Sequence, residues 1–168
     1  MRIDRVIVGQ LQTNCYILSI NDKCIVIDPG DEYNKIKKYI KDKEVVGVIV
    51  THHHFDHIGA LSNFKKSLIL DKNNLEEKEK IIGDFNFEVI YTPGHKEDCI
   101  TIYFRKEKVM FTGDFIFKGA IGRTDLEGGS IKEMLISLDK IKKYDNDTIL
   151  YPGHGDKTLL AHELNRLT

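Results

Sequence analysis

The chain has 168 residues, of which 41% are hydrophobic and 30% are charged, and this length and balance predict a single globular domain over residues 1–168. The formal net charge of -1 gives no electrostatic reason to expect nucleic acid or an anionic membrane as a partner. No stretch is apolar for long enough to span a membrane, and the N-terminus lacks a secretory signal, so we expect a cytoplasmic protein with three reduced cysteines.

The first half of the chain predicts strands interrupted by helices. β-branched and apolar runs predict strands over 6–8, 15–20, 24–28, 45–50 and 68–70. The second and third of these flank Asn21–Lys23, which is typical of a hairpin turn. Helices are predicted over 32–42 and 58–65, and the apolar face of the first comprises Tyr33, Ile36, Tyr39 and Ile40. The charged segment 71–84 has no clear assignment.

The second half predicts further strands and two longer helices. Strands are expected over 85–91 and 148–151, a hairpin over 99–104 and 109–112, a loop over 119–129 and a terminal helix over 158–167. Ser130 and Glu133 form a capping-box pattern that opens a helix. Its expected apolar stripe comprises Ile131, Met134, Leu135, Leu138 and Ile141. The order of elements predicts an α/β fold, an αββα four-layer sandwich of two mixed sheets flanked by helices.

Seven residues with imidazole or carboxylate side chains follow the predicted strands. They are His52, His54, Asp56, His57, His95, Asp114 and His154. Zinc, iron and manganese accept these ligand types. His52 and His54 share a face of an extended segment, from which His53 points away. The spacing favours two adjacent metal ions, which the two oxygens of Asp114 can bridge.

The expected chemistry is hydrolysis at a two-metal centre. A metal lowers the pKa of bound water to about 7, and the resulting hydroxide attacks a carbonyl carbon. Asp56 and Asp114 are the carboxylates that we assign to this catalytic centre. Asp28, which precedes Pro29–Gly30, either orients a metal-bound histidine or begins a turn. Cys99 lies within a strand pattern and is expected to be a buried apolar residue, not a nucleophile. His162 is expected to be an ordinary helix residue.

The ordered ligand set, with Asp28 before Pro-Gly, resembles the metallo-β-lactamase-fold superfamily over nearly the whole chain. Within it, Thr13–Tyr16, Gly122–Asp125 and Gly128–Gly129 resemble the short form of the glyoxalase II (hydroxyacylglutathione hydrolase) branch. The resemblance implies three ligands for the first metal, three for the second and a bridge. These are His52, His54 and His95, then Asp56, His57 and His154, and Asp114. Two divalent ions are expected, zinc first, with iron or manganese as alternatives.

Two departures bear on the substrate. The chain stops soon after His154, without the C-terminal helical extension that helps glyoxalase II bind glutathione. The third-motif histidine is followed by Lys96–Cys99, where Thr-x-Gly-Ser is frequent in the family. The leading hypothesis remains a hydrolase whose metal-bridging hydroxide attacks a small-molecule thioester, with no nucleic acid or membrane as a partner. Antibiotic hydrolysis is not expected, because true metallo-β-lactamases are usually exported and lack this full ligand set.

Three alternatives stay open. The first is a mononuclear iron persulfide dioxygenase of the same fold, which would use His52 or His54 with His95 and Asp114. An RNA-processing nuclease and a metal store are the others. The near-neutral charge disfavours the nuclease, and a bridging carboxylate disfavours simple storage. The oligomeric state is not predicted.

Overall fold

The computed structural model describes residues 1–167. The first sheet is formed by β1 (Arg2–Val8), β2 (Thr13–Ile20), β3 (Lys23–Ile27), β4 (Glu44–Ile49) and β5 (Ile69–Leu70), in that order. The second is formed by β6 (Glu79–Ile82), β7 (Phe85–Tyr91), β8 (Ile100–Phe104), β9 (Val109–Gly113), β12 (Ile149–Pro152) and β13 (Thr158–Leu159). Its order is β13-β12-β9-β8-β7-β6, and β10 (Ile116–Phe117) pairs with β11 (Ala120–Ile121) as a separate small hairpin. Both large sheets are mixed, because β3, β4 and β5 are parallel, as are β9 and β12, while the other neighbours are antiparallel.

The helices are α1 (Tyr33–Ile40), α2 (Phe55–Ile58), α3 (Ile131–Ile141) and α4 (Leu160–Leu167), with 3-10 turns at Leu61–Asn63 and Lys66–Leu68. The longer helices α1, α3 and α4 lie on the outer faces of the two sheets. Ile36 and Ile40 of α1 pack on the first sheet, while α3 and α4 cover the second with Met134, Ile141 and Leu160. Within residues 1–167, no helix is long and apolar enough to cross a membrane.

The main core lies between the sheets. Alternate residues of the first sheet, such as Leu18, Ile25 and Ile49, pack there against Phe87 and Phe111 of the second. Full burial of a large apolar side chain stabilises the fold by roughly 1.5–3 kcal/mol. The period-two pattern of β2 is hidden in the sequence because its outer face is also buried, under α1. The four-layer αββα sandwich is confirmed.

The helix predicted over 58–65 is wrong. The chain is helical over Phe55–Ile58 and then breaks into 3-10 turns. The break occurs where the chain packs on the segment after β3: Ala60 N–H donates to the carbonyl of Pro29 at 2.9 Å, and a Cβ at Gly59 would lie 2.2 Å from the carbonyl oxygen of Gly30. Tertiary contact therefore overrides the local helical pattern.

The apolar stripe predicted for α3 is also partly wrong. Met134, Leu138 and Ile141 are buried as expected, but Ile131 and Leu135 are 56% and 59% exposed. The buried face includes Ser137 instead, whose hydroxyl donates to the carbonyl of Pro93 at 2.7 Å. The capping box is confirmed in part, since Glu133 N–H donates to the Ser130 hydroxyl at 3.2 Å.

Among residues 1–167, four short strands lie where the sequence predicts none. β6 occupies part of the unassigned segment 71–84, β10 precedes the predicted loop 119–129, and β11 lies within that loop. β13 takes the first two residues of the helix predicted over 158–167, so this helix begins at Leu160 instead. In α1, Ile36 and Ile40 are buried as predicted, whereas Tyr39 is 38% exposed. The remaining elements agree with the predictions to within a few residues at their ends.

Candidate metal centre

All seven predicted ligands lie at one edge of the sandwich, beyond the carboxyl ends of strands from both sheets. His52 and His54 follow β4 in extended backbone, and Asp56 and His57 lie in α2 directly after them. From the second sheet, His95 follows β7, Asp114 follows β9 and His154 follows β12. Strands that end at a common edge bring residues distant in sequence into contact, so the structure brings the whole set together.

Six of the seven form two groups of three. In the first group, Nδ1 of His54 lies 3.1 Å from Nε2 of His52 and 2.9 Å from Nε2 of His95. In the second group, Oδ2 of Asp56 lies 3.4 Å from Nε2 of His57 and 3.2 Å from Nε2 of His154. The ligand atoms within each group lie within 4.8 Å of one another.

Asp114 lies between the two groups and contacts both. Its Oδ2 lies 3.6 Å from Nε2 of His95 in the first group and 3.5 Å from Nε2 of His154 in the second. Its Oδ1 lies 3.3 Å from Nε2 of His57. The residue is only 8% exposed. Asp114 is therefore placed where a bridging carboxylate would be.

Contacts outside the cluster fix which ring nitrogen of several histidines faces inward. Nδ1 of His95 lies 2.8 Å from the carbonyl of Arg123, and Nδ1 of His154 lies 3.0 Å from the carbonyl of Leu11. A carbonyl only accepts, so Nδ1 must donate in both rings. In the neutral ring, Nε2 then directs its lone pair into the cluster, which is the pattern of a metal-ligating histidine.

Asp28 and Thr51 orient two further histidines. Oδ2 of Asp28 accepts from the Thr51 hydroxyl at 2.6 Å and from Nδ1 of His57 at 2.8 Å, while its Oδ1 accepts from Thr51 N–H at 2.7 Å. Because the Thr51 hydroxyl proton goes to Asp28, its oxygen must accept from Nδ1 of His52, 3.1 Å away. Of the two interpretations of Asp28, the structure supports the orienting carboxylate. Its φ of 51° is the left-handed conformation that Asp tolerates better than most residues.

The Thr13–Tyr16 motif braces the second group. The Thr13 hydroxyl donates to Oδ2 of Asp56 at 2.8 Å. Asn14 Nδ2 donates to the carbonyls of Pro152 and Gly155, and the Tyr16 hydroxyl donates to that of Pro152 at 2.6 Å. The motif therefore holds one carboxylate directly and fixes the loop that carries His154. These roles depend on contacts about 40 to 140 residues away, so the sequence motif alone does not reveal them.

Gly153 allows close approach at the centre of the site. A Cβ at this position would lie 2.3 Å from Oδ1 of Asp114 and 2.7 Å from Cε1 of His57. Such distances are far below van der Waals contact, so any side chain would push the two ligands apart. The glycine before His154 is thus required by the packing of the cluster.

Burial and neighbouring charges shift the pKa values of the cluster. Burial alone would lower the pKa of His57, but the carboxylates of Asp28 and Asp114 raise it to about 10. Burial is likewise outweighed at His154, where Asp114 contributes to raising the pKa to about 9. At Asp114 burial opposes ionisation, yet His154 and His57 hold the pKa below its usual range. Burial, followed by the charge of His57, lowers the pKa of His52. The ionised carboxylates attract positive charge, which a bound cation would supply.

Two buried polar atoms test whether a metal fits. Nε2 of His57 and Oδ1 of Asp114 have no hydrogen-bond partner among residues 1–167, although they lie 3.3 Å apart. An unpaired buried polar atom destabilises a fold by about 1–3 kcal/mol. Coordination removes that penalty, and imidazole with carboxylate is a donor set that first-row divalent metals accept. The His/Asp cluster fits a metal site.

His53 points away from the cluster, as predicted. Its Nδ1 lies 2.8 Å from Oδ2 of Asp98 and its Nε2 lies 3.2 Å from Oδ2 of Asp71. Asp98 also accepts from His53 N–H at 3.0 Å. The departure at Lys96–Cys99 therefore ties the histidine segment to the loop of His95. Cys99 is 3% exposed and burial raises the pKa of its thiol, and His162 is an exposed residue of α4, both as expected.

A histidine and carboxylate centre at the edge of an αββα sandwich defines a hydrolase-like class of metalloenzymes. A family model described as the Metallo-beta-lactamase superfamily matches residues 8–72 and 66–154, and the chain belongs to this superfamily. The probable metallo-hydrolase YqgX of Bacillus subtilis is 32% identical over 94% of this chain and 92% of its own length. Hydroxyacylglutathione hydrolase GloC of Haemophilus influenzae is 28% identical over 97% of this chain and 95% of its own.

Two solved structures show the same fold. The B3 metallo-beta-lactamase BLEG-1 has a TM-score of 0.90 at 29% identity and covers 98% of this chain and 97% of its own. TTHA1623, solved in a di-iron-bound form, has a TM-score of 0.84 at 27% identity and covers 94% of this chain and 95% of its own. The predicted superfamily and its glyoxalase II-like branch are confirmed.

Proposed function

We propose that this protein is a binuclear metal-dependent hydrolase that cleaves thioesters of small thiols. The observation that carries the proposal is the presence of two three-ligand groups with Asp114 between them. The relationship to GloC supports the substrate class, and the di-iron form of TTHA1623 supports a count of two ions. Zinc is our first expectation for the metal, with iron or manganese as alternatives.

In this proposal the two groups hold one ion each. His52, His54 and His95 hold the first ion, and Asp56, His57 and His154 hold the second. Asp114 contacts both groups and bridges them. Divalent ions bound there supply Lewis acidity toward a carbonyl oxygen and make water nucleophilic near neutral pH.

The residues of the chain prepare the site before a substrate arrives. Asp28 and Thr51 hold His52 and His57 in fixed orientations, and Thr13 fixes Asp56. Ligands held in advance need little reorganisation as charge develops during the reaction. A covalent cysteine mechanism is disfavoured, since all three cysteines are buried.

Metal analysis combined with a thiol-release assay tests the proposal. Purified protein is analysed for zinc, iron and manganese and is assayed with a panel of acyl thioesters. Two metal equivalents per chain with thiol release support the proposal. One iron per chain, with oxygen consumption on a persulfide and no thiol release, would replace it by the dioxygenase. Asp56, His57 and His154 form a complete second ligand group, for which a one-iron reaction has no use, and this favours the hydrolase.

Asp114→Ala tests the bridging role. We expect loss of metal and a fall in turnover of at least about 100-fold, since the bridging carboxylate contacts both groups. Asp42→Ala, at an exposed carboxylate outside the cluster, is the matched control and should retain both. Unchanged turnover in Asp114→Ala would remove this residue from the bridging role.

Hydrolysis of a β-lactam is a second candidate, favoured by the similarity to BLEG-1. A chromogenic cephalosporin added to the panel tests it directly. Turnover of the cephalosporin with a kcat/KM above that of every thioester would assign β-lactams as the preferred substrate class.

A further inference from the structure

Three surface clefts open beside the ligand cluster, and each reaches a different ligand. The first, of about 340 Å³, is lined by Asp56. The second, of about 460 Å³, is lined by His54. The third, of about 490 Å³, is lined by His154 and adjoins a further cavity of about 470 Å³, with which it shares Lys118 and Asp156. We call this third cleft with its extension the His154 groove.

The charges of the first two clefts disfavour an anion. The first cleft contains the carboxylates of Asp31 and Asp56 and no lysine or arginine. The second contains one cation, Lys96, and two carboxylates, Glu97 and Glu127. An anionic group bound in either cleft would face like charge, which is unfavourable at close range.

The His154 groove has the opposite charge. It is lined by three cations, Arg5, Lys118 and Lys157, and by one carboxylate, Asp156. Arg5 is already engaged, because its Nη1 donates to the carbonyl of Gly155 at 2.9 Å and lies 3.3 Å from Oδ1 of Asp156. The two lysines therefore supply the groove's excess positive charge.

Both lysines are available to a ligand. Lys118 lies in the turn between β10 and β11, and Lys157 follows the loop of His154. Both are exposed, and neither forms an ion pair within residues 1–167. Nζ of Lys157 lies 5.9 Å from the centre of the Tyr151 ring, a weak contact that leaves its hydrogen-bond donors free.

We propose that the His154 groove binds an anionic oxyacid group, a carboxylate or a phosphate, on the thiol portion of the substrate. The assignment of the thiol portion rests on the proposed thioester hydrolysis. The groove begins at a ligand of the second group and continues to Lys118 and Lys157, so a substrate that reacts at the cluster extends along it.

In this proposal, the first cleft binds the acyl portion of the substrate. Its apolar lining includes Phe55 and Leu11, which are 75% and 53% exposed, together with Val8. Exposed large apolar side chains beside a reactive centre favour an uncharged chain, because binding removes their surface from water. Substrates with a short neutral acyl group and a charged thiol therefore match both clefts.

Kinetics with three thioesters that share one acyl group test the proposal. The thiols are glutathione, which carries carboxylates, coenzyme A, which carries phosphates, and N-acetylcysteamine, which is uncharged. In K118A/K157A we expect kcat/KM to fall about 10- to 25-fold for an anionic thioester, at roughly threefold to fivefold per lost charge contact. The neutral thioester should change less than twofold. A lower kcat/KM of K118A/K157A for the glutathione thioester assigns a carboxylate. A lower kcat/KM for the coenzyme A thioester assigns a phosphate.

K37A/K38A is the matched control, because it removes the same charge from two exposed lysines of α1 that line none of these clefts. Equal losses for neutral and anionic thioesters, or equal losses in both double variants, would overturn the proposal. Binding of S-methylglutathione and S-methyl-coenzyme A, measured by calorimetry, tests the His154 groove independently of thioester hydrolysis. If the protein cleaves no thioester, the proposed function fails. Binding of either probe that is weaker in K118A/K157A but not in K37A/K38A would still support the groove. If the protein binds neither probe, or if K118A/K157A binds both as tightly as the wild type, the groove proposal is overturned.

Discussion

Thr51→Val tests whether the hydrogen bonds behind the cluster set its metal affinity. The change keeps the side-chain shape but removes the hydroxyl between Asp28 and His52. A hydrogen bond to a charged group contributes about 1.5–3 kcal/mol, and the unpaired N–H of His52 costs about 1–3 kcal/mol more. The added buried methyl group returns roughly 0.8 kcal/mol. We therefore expect the free energy of unfolding to fall by about 2–5 kcal/mol, and metal affinity to fall about 10- to 100-fold.

Urea unfolding of the metal-free protein and competition with a chromophoric chelator measure these two effects separately. Thr148→Val is the control, because the Thr148 hydroxyl is equally buried and makes no hydrogen bond among residues 1–167. It should leave metal affinity nearly unchanged and raise the free energy of unfolding by about 1–3 kcal/mol, because it removes an unpaired buried hydroxyl. If Thr51→Val kept wild-type affinity, or if its effect simply added to that of Asp28→Asn, these residues would not act as a unit and the reasoning would be refuted.

Two further substitutions probe the site and its surroundings, and a thiol reagent probes the core. Gly153→Ala should lose most bound metal, because its Cβ would clash with Asp114 and His57. The control Gly47→Ala, whose Cβ would have no contact under 3.4 Å, should keep its metal. Equal metal contents in the two variants would contradict the clash. His53→Ala should keep full metal occupancy but lower the free energy of unfolding by about 1–2 kcal/mol, since Asp98 and Asp71 both lose their imidazole partner. A lost metal equivalent would show that His53 is a ligand. All three cysteines are buried, and burial raises the pKa of Cys24 to about 11, so a thiol reagent should react with the native protein only as it unfolds; fast reaction of a native thiol would contradict this burial.

The positions of the ligands were predictable because each depends on local information. An apolar run ends, and a histidine or an aspartate comes within a few residues: Asp114 directly follows β9, and His95 comes shortly after the end of β7. Strand ends that meet at one sheet edge then bring these residues together. The structure therefore places these residues together much as the sequence predicts.

The orientation of the ligands was not predictable in the same way. Asp28 contacts Thr51 and His57 across 23 and 29 residues, and the Thr13 hydroxyl reaches Asp56 across 43. Such pairings depend on the register of neighbouring strands, which local patterns do not determine. The exposed Leu135 shows the same limit: helical spacing identifies an apolar stripe, but packing decides which part of it is covered.

Each three-ligand group draws on both sheets. His52 and His54 come from the first sheet and His95 from the second, while Asp56 and His57 from the first are joined by His154 from the second. Neither group has its three residues together until the two sheets have packed against each other. In the proposed centre, the first group therefore lacks a ligand until His95 has been synthesised, and the second lacks one until His154 has followed, close to the end of the sequence.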